Sequence, residues 1–147
     1  MRILAVDTGE RRVGLALSDP TGTVAQPLAV AVLEPGDDVA AVVAEVARRH
    51  GAEGLVIGLP RHMNGAEGEG ARRARALAAD LRERLGLPVD LWDERLTTVA
   101  AHRALREGGV SGRRRRDKVD KTAAALILQG YLDSRRSETR GPNRFAP

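Results

Sequence analysis

The chain has 147 residues and a formal net charge of +4, and 42% of its residues are hydrophobic. This length and hydrophobic content suit one domain with an ordinary core, and the length is too short for a two-domain kinase. The absence of cysteine excludes disulfides, thiolate zinc sites and cysteine nucleophiles. With one Trp, one Tyr and one Phe, contacts to a nucleic acid have to depend on arginine and backbone amides more than on aromatic stacking, which argues against RRM-like and OB-like readers.

The first part of the chain predicts three consecutive strands. Residues 2–7 and 13–19 are apolar and β-branched, and the short turn between them contains Gly9, so they predict an antiparallel hairpin. Residues 23–33 predict a third strand. Pro27 in the middle of this segment indicates that the strand lies at a sheet edge or contains a bulge.

The remainder of the chain alternates helices with strands. The pattern predicts helices over 37–50, 69–85, 97–108 and 119–134 and strands over 54–60 and 87–92. Residues 110–118 are predicted to form a flexible basic connector, and the tail 135–147 to be disordered. This order predicts an α/β fold with a mixed five-stranded sheet, in which a three-strand antiparallel meander is joined by two parallel strands and flanked by helices.

Asp7 ends the first predicted strand and begins the tripeptide Asp-Thr-Gly. This tripeptide is the signature of aspartic proteases, Asp-x-Gly begins the phosphate hairpin of actin-like kinases, and a carboxylate on a first strand holds metal in ribonuclease-H-like nucleases. A protease needs two such aspartates that share a proton. The single tripeptide in a chain that is about half helical argues against that class.

Other carboxylates are predicted to gather near Asp7. Asp93 and Glu94 follow the fifth strand, and the carboxyl ends of parallel strands meet at one edge of a sheet. Asp120 begins the last helix, which could carry it to the same edge. Acids gathered without histidine suit Mg²⁺ or Mn²⁺, and two such ions about 4 Å apart would support phosphodiester hydrolysis by metal-activated water.

Structural explanations of the same acids stay open at this point. Asp117 and Asp120 could cap the helix that they begin, and Asp93 could cap the one that it precedes. Arg95 could neutralise Glu94. The coincidence of these acids with the strand end at Asp7 favours a site.

Arginines are concentrated late in the sequence. Ten lysines and arginines stand against four acids from residue 111 onward, and four adjacent arginines lie in the stretch GRRRRDK. Such a run in a glycine-flanked loop contributes little to folding, whereas each guanidinium can pair with a phosphate. The alternative is a solvated charge run.

Four motifs together resemble one known family. The stretches AVDTGERRVGLALSD, VIGLPRHMNG, LWDERLTT and DKVDKTAAALILQGYL occur in this order and at these spacings in the YqgF/RuvX family of ribonuclease-H-like proteins. The resemblance covers residues 1–134 and implies one ribonuclease-H-like nuclease domain, with the tail 135–147 outside it. It also implies a metal-dependent nuclease that processes the 5′ end of pre-16S ribosomal RNA or cleaves junction or single-stranded DNA.

Carried over residue by residue, the resemblance implies that Asp7, Glu94 and Asp120 are the three metal-binding catalytic carboxylates. Asp93 is the reserve ligand. Thr8 stands where the family often has Phe or Tyr, a change that should leave the Asp7 carboxylate in place.

The nucleic-acid contacts are predicted from the resemblance and from residue chemistry together. They are Arg12, Asn64, Thr97, Thr98, Arg113, Arg114, Arg115, Arg116 and Lys118. A turn role for Asn64 and simple helix capping for Thr97 and Thr98 remain the structural alternatives.

Two other functions stay open. A non-catalytic RNA- or DNA-binding module would need the basic segment and not the carboxylates, and a nucleotide phosphotransferase would need a second phosphate loop. The partners are predicted to be precursor RNA or branched or single-stranded DNA, with the protein a monomer or a homodimer. Without a signal-peptide pattern or an apolar run of about 20 residues, a cytoplasmic protein away from membranes is expected.

Overall fold

Five strands form one mixed sheet in the order β3-β2-β1-β4-β5. The computed structural model describes residues 1–96 and 113–140, with side chains for 1–96 and 123–136. The strands are β1 (Ile3–Thr8), β2 (Arg12–Ser18), β3 (Ala25–Val32), β4 (Gly54–Leu59) and β5 (Val89–Asp93). The helices are α1 (Val39–Arg49), α2 (Glu69–Leu85) and α3 (Arg113–Arg140), and a 3-10 turn at Glu94–Leu96 follows β5. β1 is antiparallel to β2 and parallel to β4, which confirms the predicted sheet.

Alternate residues of the central strand face two different cores. Leu4 and Val6 of β1 pack with residues of α1 and α2, whereas Ile3 and Ala5 pack with residues of α3. Every residue of β1 and β4 is buried, as expected of strands covered by helices on both faces. Because side chains alternate along a strand, Asp7 shares the α3 face with Ile3 and Ala5.

Both edge strands carry features that limit further pairing. In β3, Pro27 lies opposite Ala16, and the register shifts between Leu15 and Ala16, so the bulge and the edge position that Pro27 predicts are both confirmed. At the other edge, Arg82 of α2 donates to the backbone carbonyl of Val89 from Nε at 3.1 Å and from Nη2 at 2.6 Å.

The ends of α1 and α2 follow the sequence closely. Asp38 caps α1, because its side chain accepts a hydrogen bond from the Ala41 amide at 3.1 Å. The observed bounds of α2 equal the predicted ones, and α2 ends at Gly86, whose φ of 64° is in the left-handed region that suits glycine.

The last helix departs from prediction at both ends. The four arginines at 113–116, predicted in a flexible connector, are helical in α3. The helix also continues past residue 134 to Arg140, so the prediction of disorder is wrong for residues 135–140. A stripe that includes Ile127, Leu128 and Leu132 packs on the sheet, and arginine is a good helix former beyond such an anchored stretch. The helix predicted over 97–108 lies outside the described residues.

Within residues 1–96 and 113–140, no helix has both the length and the apolar character needed to cross a membrane.

Candidate functional site

Asp7 lies near the carboxyl end of the central strand β1 and is only 3% exposed. It pairs with Gly14 of β2. On the other side, β1 and β4 are in register at Val6 and Ile57, so the next step places Asp7 beside Gly58. Both neighbours are glycines, and therefore no side chain from either adjacent strand competes for the space around the carboxylate.

Glu94 is the second buried carboxylate, at 5% exposure, and it begins the turn that follows β5. A Cβ built on Gly58 would lie 2.6 Å from Glu94 Oε2 and 2.6 Å from Ile127 Cδ1 of α3. The Glu94 carboxylate thus covers Gly58 on the α3 face of the sheet, which is the face that Asp7 shares. The structure brings these two predicted site residues together.

The course of α3 relates Asp120 to this pair. Ile127 packs against the Gly58 position, while Leu132, further along the helix, lies with Ile3 at the start of β1. Hence α3 runs antiparallel to β1, and its N-terminal part lies toward the edge that carries Asp7. Asp120 precedes Ile127 by seven residues, about two helical turns or roughly 10 Å. The side chain of Asp120 lies outside the described part, and its role as the third carboxylate stays a prediction.

Asp93, the reserve ligand, lies in a different environment. It pairs with Leu59 in the sheet, whose side chain belongs to the core of α1 and α2. Arg95 donates to the Asp93 carboxylate from Nη2 at 2.7 Å and from Nε at 3.1 Å, and Arg61 Nη1 lies 3.6 Å away. The hydrogen bond from Arg95 holds the pKa of Asp93 below its usual value, with the Arg95 amide and the charges of both arginines adding to the effect. Asp93 is therefore engaged by arginines on the face opposite Asp7.

These ion pairs continue into the loop between β4 and α2. Glu67 accepts from Arg75 at 2.7 and 2.6 Å and lies 3.2 Å from Arg61. The hydrogen bond from Arg75 lowers the pKa of Glu67 to about 2, with help from the charges of Arg75 and Arg61. Arg95 also reaches the carbonyl of Met63 at 3.4 Å. The network joins this loop to the segment that holds Glu94.

Asn64 shapes the same loop. Its Oδ1 accepts a hydrogen bond from the Ala66 amide at 2.9 Å, and the next residue, Gly65, has a φ of 89°. The Gly65 amide donates to the carbonyl of His62 at 2.8 Å. The turn role is thus visible in the structure, and the contact of Asn64 with nucleic acid stays a prediction.

The hairpin between β1 and β2 places Arg12 at the same edge as Asp7. The Gly9 amide donates to the Arg12 carbonyl at 2.8 Å, and a Cβ on Gly9 would lie 3.0 Å from that oxygen. Gly9 therefore closes a turn that has little room for a side chain. Arg12 begins β2 and is partly buried.

The remaining predicted contacts lie at the start of α3 or beyond the described chain. The backbone of α3 places the arginines at 113–116 and Lys118 just before Asp120. Thr97 and Thr98 lie outside the described residues.

The donor set of this edge suits a hard cation. Among the described side chains, which do not include that of Asp120, no group of three or more His, Cys, Asp or Glu is placed to hold a metal ion. Asp7 and Glu94 nevertheless supply two buried carboxylates on one face, and Mg²⁺ and Mn²⁺ prefer such oxygen ligands. An ion bound there would also offset the negative charge of two buried carboxylates. The residues present fit Mg²⁺ or Mn²⁺.

Comparison of sequences shows one family. The family described as "RuvX: Holliday junction resolvase" matches residues 1–134. A protein of Pelotomaculum thermopropionicum named "Putative pre-16S rRNA nuclease" is 47% identical, over 100% of this chain and 98% of its own length. A protein of the same name from Moorella thermoacetica is 50% identical, over 90% of this chain and 95% of its own.

Comparison of structures shows the fold. Thermus thermophilus RuvC superposes with a TM-score of 0.58 and 16% identity, covering 93% of this chain and 97% of its own. The fowlpox virus Holliday junction resolvase has a TM-score of 0.52 and 14% identity, covering 91% and 99%. At such identities the likeness establishes a ribonuclease-H-like fold.

Proposed function

The chain belongs to the RuvX family of Holliday junction resolvases, and on that premise we propose that it is a metal-dependent nuclease. It would hydrolyse phosphodiester bonds in precursor RNA or in branched or single-stranded DNA. One observation is the main support for this proposal. The carboxylates of Asp7 and Glu94 are both buried, and strand register puts both on the face of the sheet where Gly58 carries no side chain.

Asp7, Glu94 and Asp120 would hold the metal, either Mg²⁺ or Mn²⁺. When bound, the ion supplies Lewis-acid chemistry, which activates water and stabilises charge on the phosphate. The contribution of the protein is rigidity, because Asp7 lies on a fully buried central strand and the buried Glu94 side chain packs against Gly58. Burial of both acids also keeps bulk water away, which strengthens their electrostatic effect.

Basic residues would position the substrate backbone. Arg12 lies in the hairpin beside Asp7, and the arginines at 113–116 with Lys118 stand in α3 before Asp120. Contacts of this type bind phosphates without reading sequence. They support binding of a strand across the carboxylates.

The two names within the family suggest different natural substrates. Relatives named for pre-16S rRNA suggest a ribosomal RNA precursor, and the family description suggests a four-way DNA junction. A resolvase cuts two strands symmetrically and would act as a homodimer, whereas an RNA nuclease can act as a monomer. Precursor rRNA and chromosomal DNA are both found in the bacterial cytoplasm, where we propose that the protein works.

A cleavage panel tests the proposal. The purified full chain is incubated with junction DNA, linear single strands and precursor RNA, each with Mg²⁺, Mn²⁺ or EDTA. We expect cleavage with a metal only, and its loss in Asp7→Asn, Glu94→Gln and Asp120→Asn while binding persists. Undiminished cleavage by both Asp7→Asn and Asp120→Asn would reject the site. Binding without cleavage under every condition would identify a non-catalytic binding module instead.

A further inference from the structure

A cleft of about 520 Å³ lies between the edge strand β5 and the C-terminal half of α3. Its volume falls within the roughly 300–1,000 Å³ that is usual for small-molecule pockets. Side chains of mixed character line it, among them Asp90, Trp92, Tyr131, Ser134 and Arg135. The cleft is therefore large enough and polar enough to hold a planar group such as a nucleobase.

Two of the three aromatic side chains of the chain meet in this cleft. The rings of Trp92 and Tyr131 are 6.1 Å apart and nearly perpendicular, at 86°. The guanidinium of Arg135 lies 5.5 Å from the centre of the Tyr131 ring. Tyr131 is buried, whereas Trp92 keeps part of its surface exposed. Exposed aromatic faces and arginine planes are the surfaces on which proteins stack unpaired bases.

The polar groups of the cleft form a fixed arrangement. The Tyr131 hydroxyl donates to the Asp90 carboxylate and accepts from Arg135 Nη1 at 3.0 Å. Burial, followed by the hydrogen bond to Asp90, raises the pKa of Tyr131 to about 12, so the hydroxyl stays protonated. Asp90 is held in place by this bond and is exposed to solvent. A carboxylate with further acceptor capacity suits the amino groups of adenine, cytosine or guanine.

The cleft approaches the carboxylate site at Trp92 and extends from there toward Met1 and Pro88, at the amino-terminal ends of β1 and β5. Trp92 pairs with Gly58 in the sheet, and Gly58 is the residue that the Glu94 carboxylate covers. Along the chain, Trp92 precedes Glu94 by two residues, a distance of about 7 Å in a strand. A strand whose phosphate lies at Glu94 can therefore place a neighbouring base at Trp92.

We propose that this cleft takes one unpaired nucleobase of the strand being cleaved, stacked on Trp92 and hydrogen-bonded through its amino group to Asp90. The inference rests on the proposed nuclease function and narrows its substrates. The cleaved strand carries at least one unpaired nucleotide next to the scissile phosphate, as single strands, loops and opened junctions do. A continuous duplex keeps its bases stacked and cannot offer one without the cost of extrusion.

Fluorescence offers a direct test, because Trp92 is the only tryptophan of the chain. The full-length Asp7→Asn protein, which we expect to bind without cleaving, is titrated with a single-stranded oligonucleotide, with the matching duplex and with free mononucleotide. We expect saturable quenching by the single strand at concentrations at least tenfold lower than by the other two. Oligonucleotides of adenine or cytosine should quench more strongly than those of uracil or thymine.

A steric variant tests the same cleft by kinetics. Ser134→Leu fills the cleft from α3, and we expect it to raise the KM for single-stranded substrate about tenfold, the scale of one lost base stack. The matched control is Ala79→Leu, which adds the same side chain at an exposed position of α2. It should leave KM and kcat unchanged.

The outcomes separate this inference from the nuclease proposal. Equal quenching by duplex overturns the base cleft, and tighter quenching by mononucleotide shows a free-nucleotide site instead. Normal cleavage by Ser134→Leu together with an unquenched Trp92 rejects the cleft and leaves the nuclease standing. Strand-specific quenching without cleavage of any substrate supports the base cleft and rejects the nuclease.

Discussion

The carboxylate of Glu94 rests directly on Gly58, so that a Cβ at Gly58 would come within 2.6 Å of Glu94 Oε2. Atoms do not approach so closely without one of them moving. The absence of a side chain at Gly58 is thus a condition for the observed position of Glu94, although Gly58 contributes no chemical group itself.

Gly58→Ala should displace Glu94 or Ile127. We expect a loss of about 1–3 kcal/mol of unfolding free energy, as for other overpacked cores, and a fall in kcat of at least tenfold. Urea unfolding and single-turnover cleavage measure the two effects. The control is Gly54→Ala in the same strand, where the added Cβ has no contact under 3.0 Å: Ile3 Cδ1 lies at 3.1 Å, Met1 Cε at 3.4 Å and the Pro88 carbonyl at 3.7 Å. Full kcat in folded Gly58→Ala would show that cleavage does not depend on this position of Glu94.

Mg²⁺ or Mn²⁺ should stabilise the folded chain through the carboxylate pair. An ion at one hundred times its Kd adds about 2.7 kcal/mol to the free energy of unfolding, which thermal melting detects without any substrate. Asp7→Asn should remove the shift, because a ligand and a negative charge are lost. An unchanged metal-induced shift in Asp7→Asn would place the ion elsewhere.

Asp93→Asn and Glu94→Gln should differ in their effect on metal binding. Asp93 is held by Arg95 and Arg61 on the other face of the sheet, so its loss should cost about 1 kcal/mol of stability and leave the metal-induced shift intact. Glu94→Gln should lose that shift. Calorimetric titration of metal into both variants makes the comparison. Loss of metal binding in Asp93→Asn alone would restore Asp93 as a ligand.

The ion pairs of Glu67 should stabilise the protein less under acidic conditions. Arg75 and Arg61 lower the pKa of Glu67 from 4.5 to about 2. Because the folded value is the lower one, the stabilisation is complete above about pH 4.5 and is lost as the pH falls toward 2. Melting curves from pH 2.5 to 7 should show the wild type more stable than Glu67→Gln at neutral pH, with the gap closing on acidification. A gap that does not vary with pH would contradict the ion pair.

The basic start of α3 should govern the salt dependence of binding. If Arg114 and Arg115 each contact one phosphate, each replacement by alanine should reduce the slope of log K against log salt by about 0.7–0.9. Arg49→Ala is the control, since Arg49 lies at the end of α1 in a pair with Glu45. Equal slopes for all three variants would remove this segment from the interface.

The fold could be predicted because its signals are local. The periodicity of α2 and the glycine at 86 set the helix to its observed bounds, and Pro27 marked the edge strand. The predicted loop at the arginines 113–116 was wrong, because their charge suggested a flexible segment. A helix can extend beyond a packed stripe such as that of Ile127.

The site could be predicted only in part. Strand ends that share an edge predict that Asp7 lies near the Asp93–Glu94 pair, whereas the choice of Glu94 came from the family resemblance. Alternation along β5 from Trp92 would also have placed Asp93 on the opposite face. The meeting of Trp92 with Tyr131 had no local signal, because it depends on how α3 crosses β5. The aromatic content of a sequence does not show which aromatic side chains lie together in the fold.

The features at the two edges of the sheet limit how copies of this protein can associate. Pro27 offers no amide hydrogen on β3, and Arg82 occupies the outward carbonyl of Val89 on β5. Strand addition at either edge is thereby disfavoured, which protects the chain from open-ended fibrous assembly. A homodimer that cuts a junction symmetrically would therefore form through helices or loops rather than through a sheet continued across both copies.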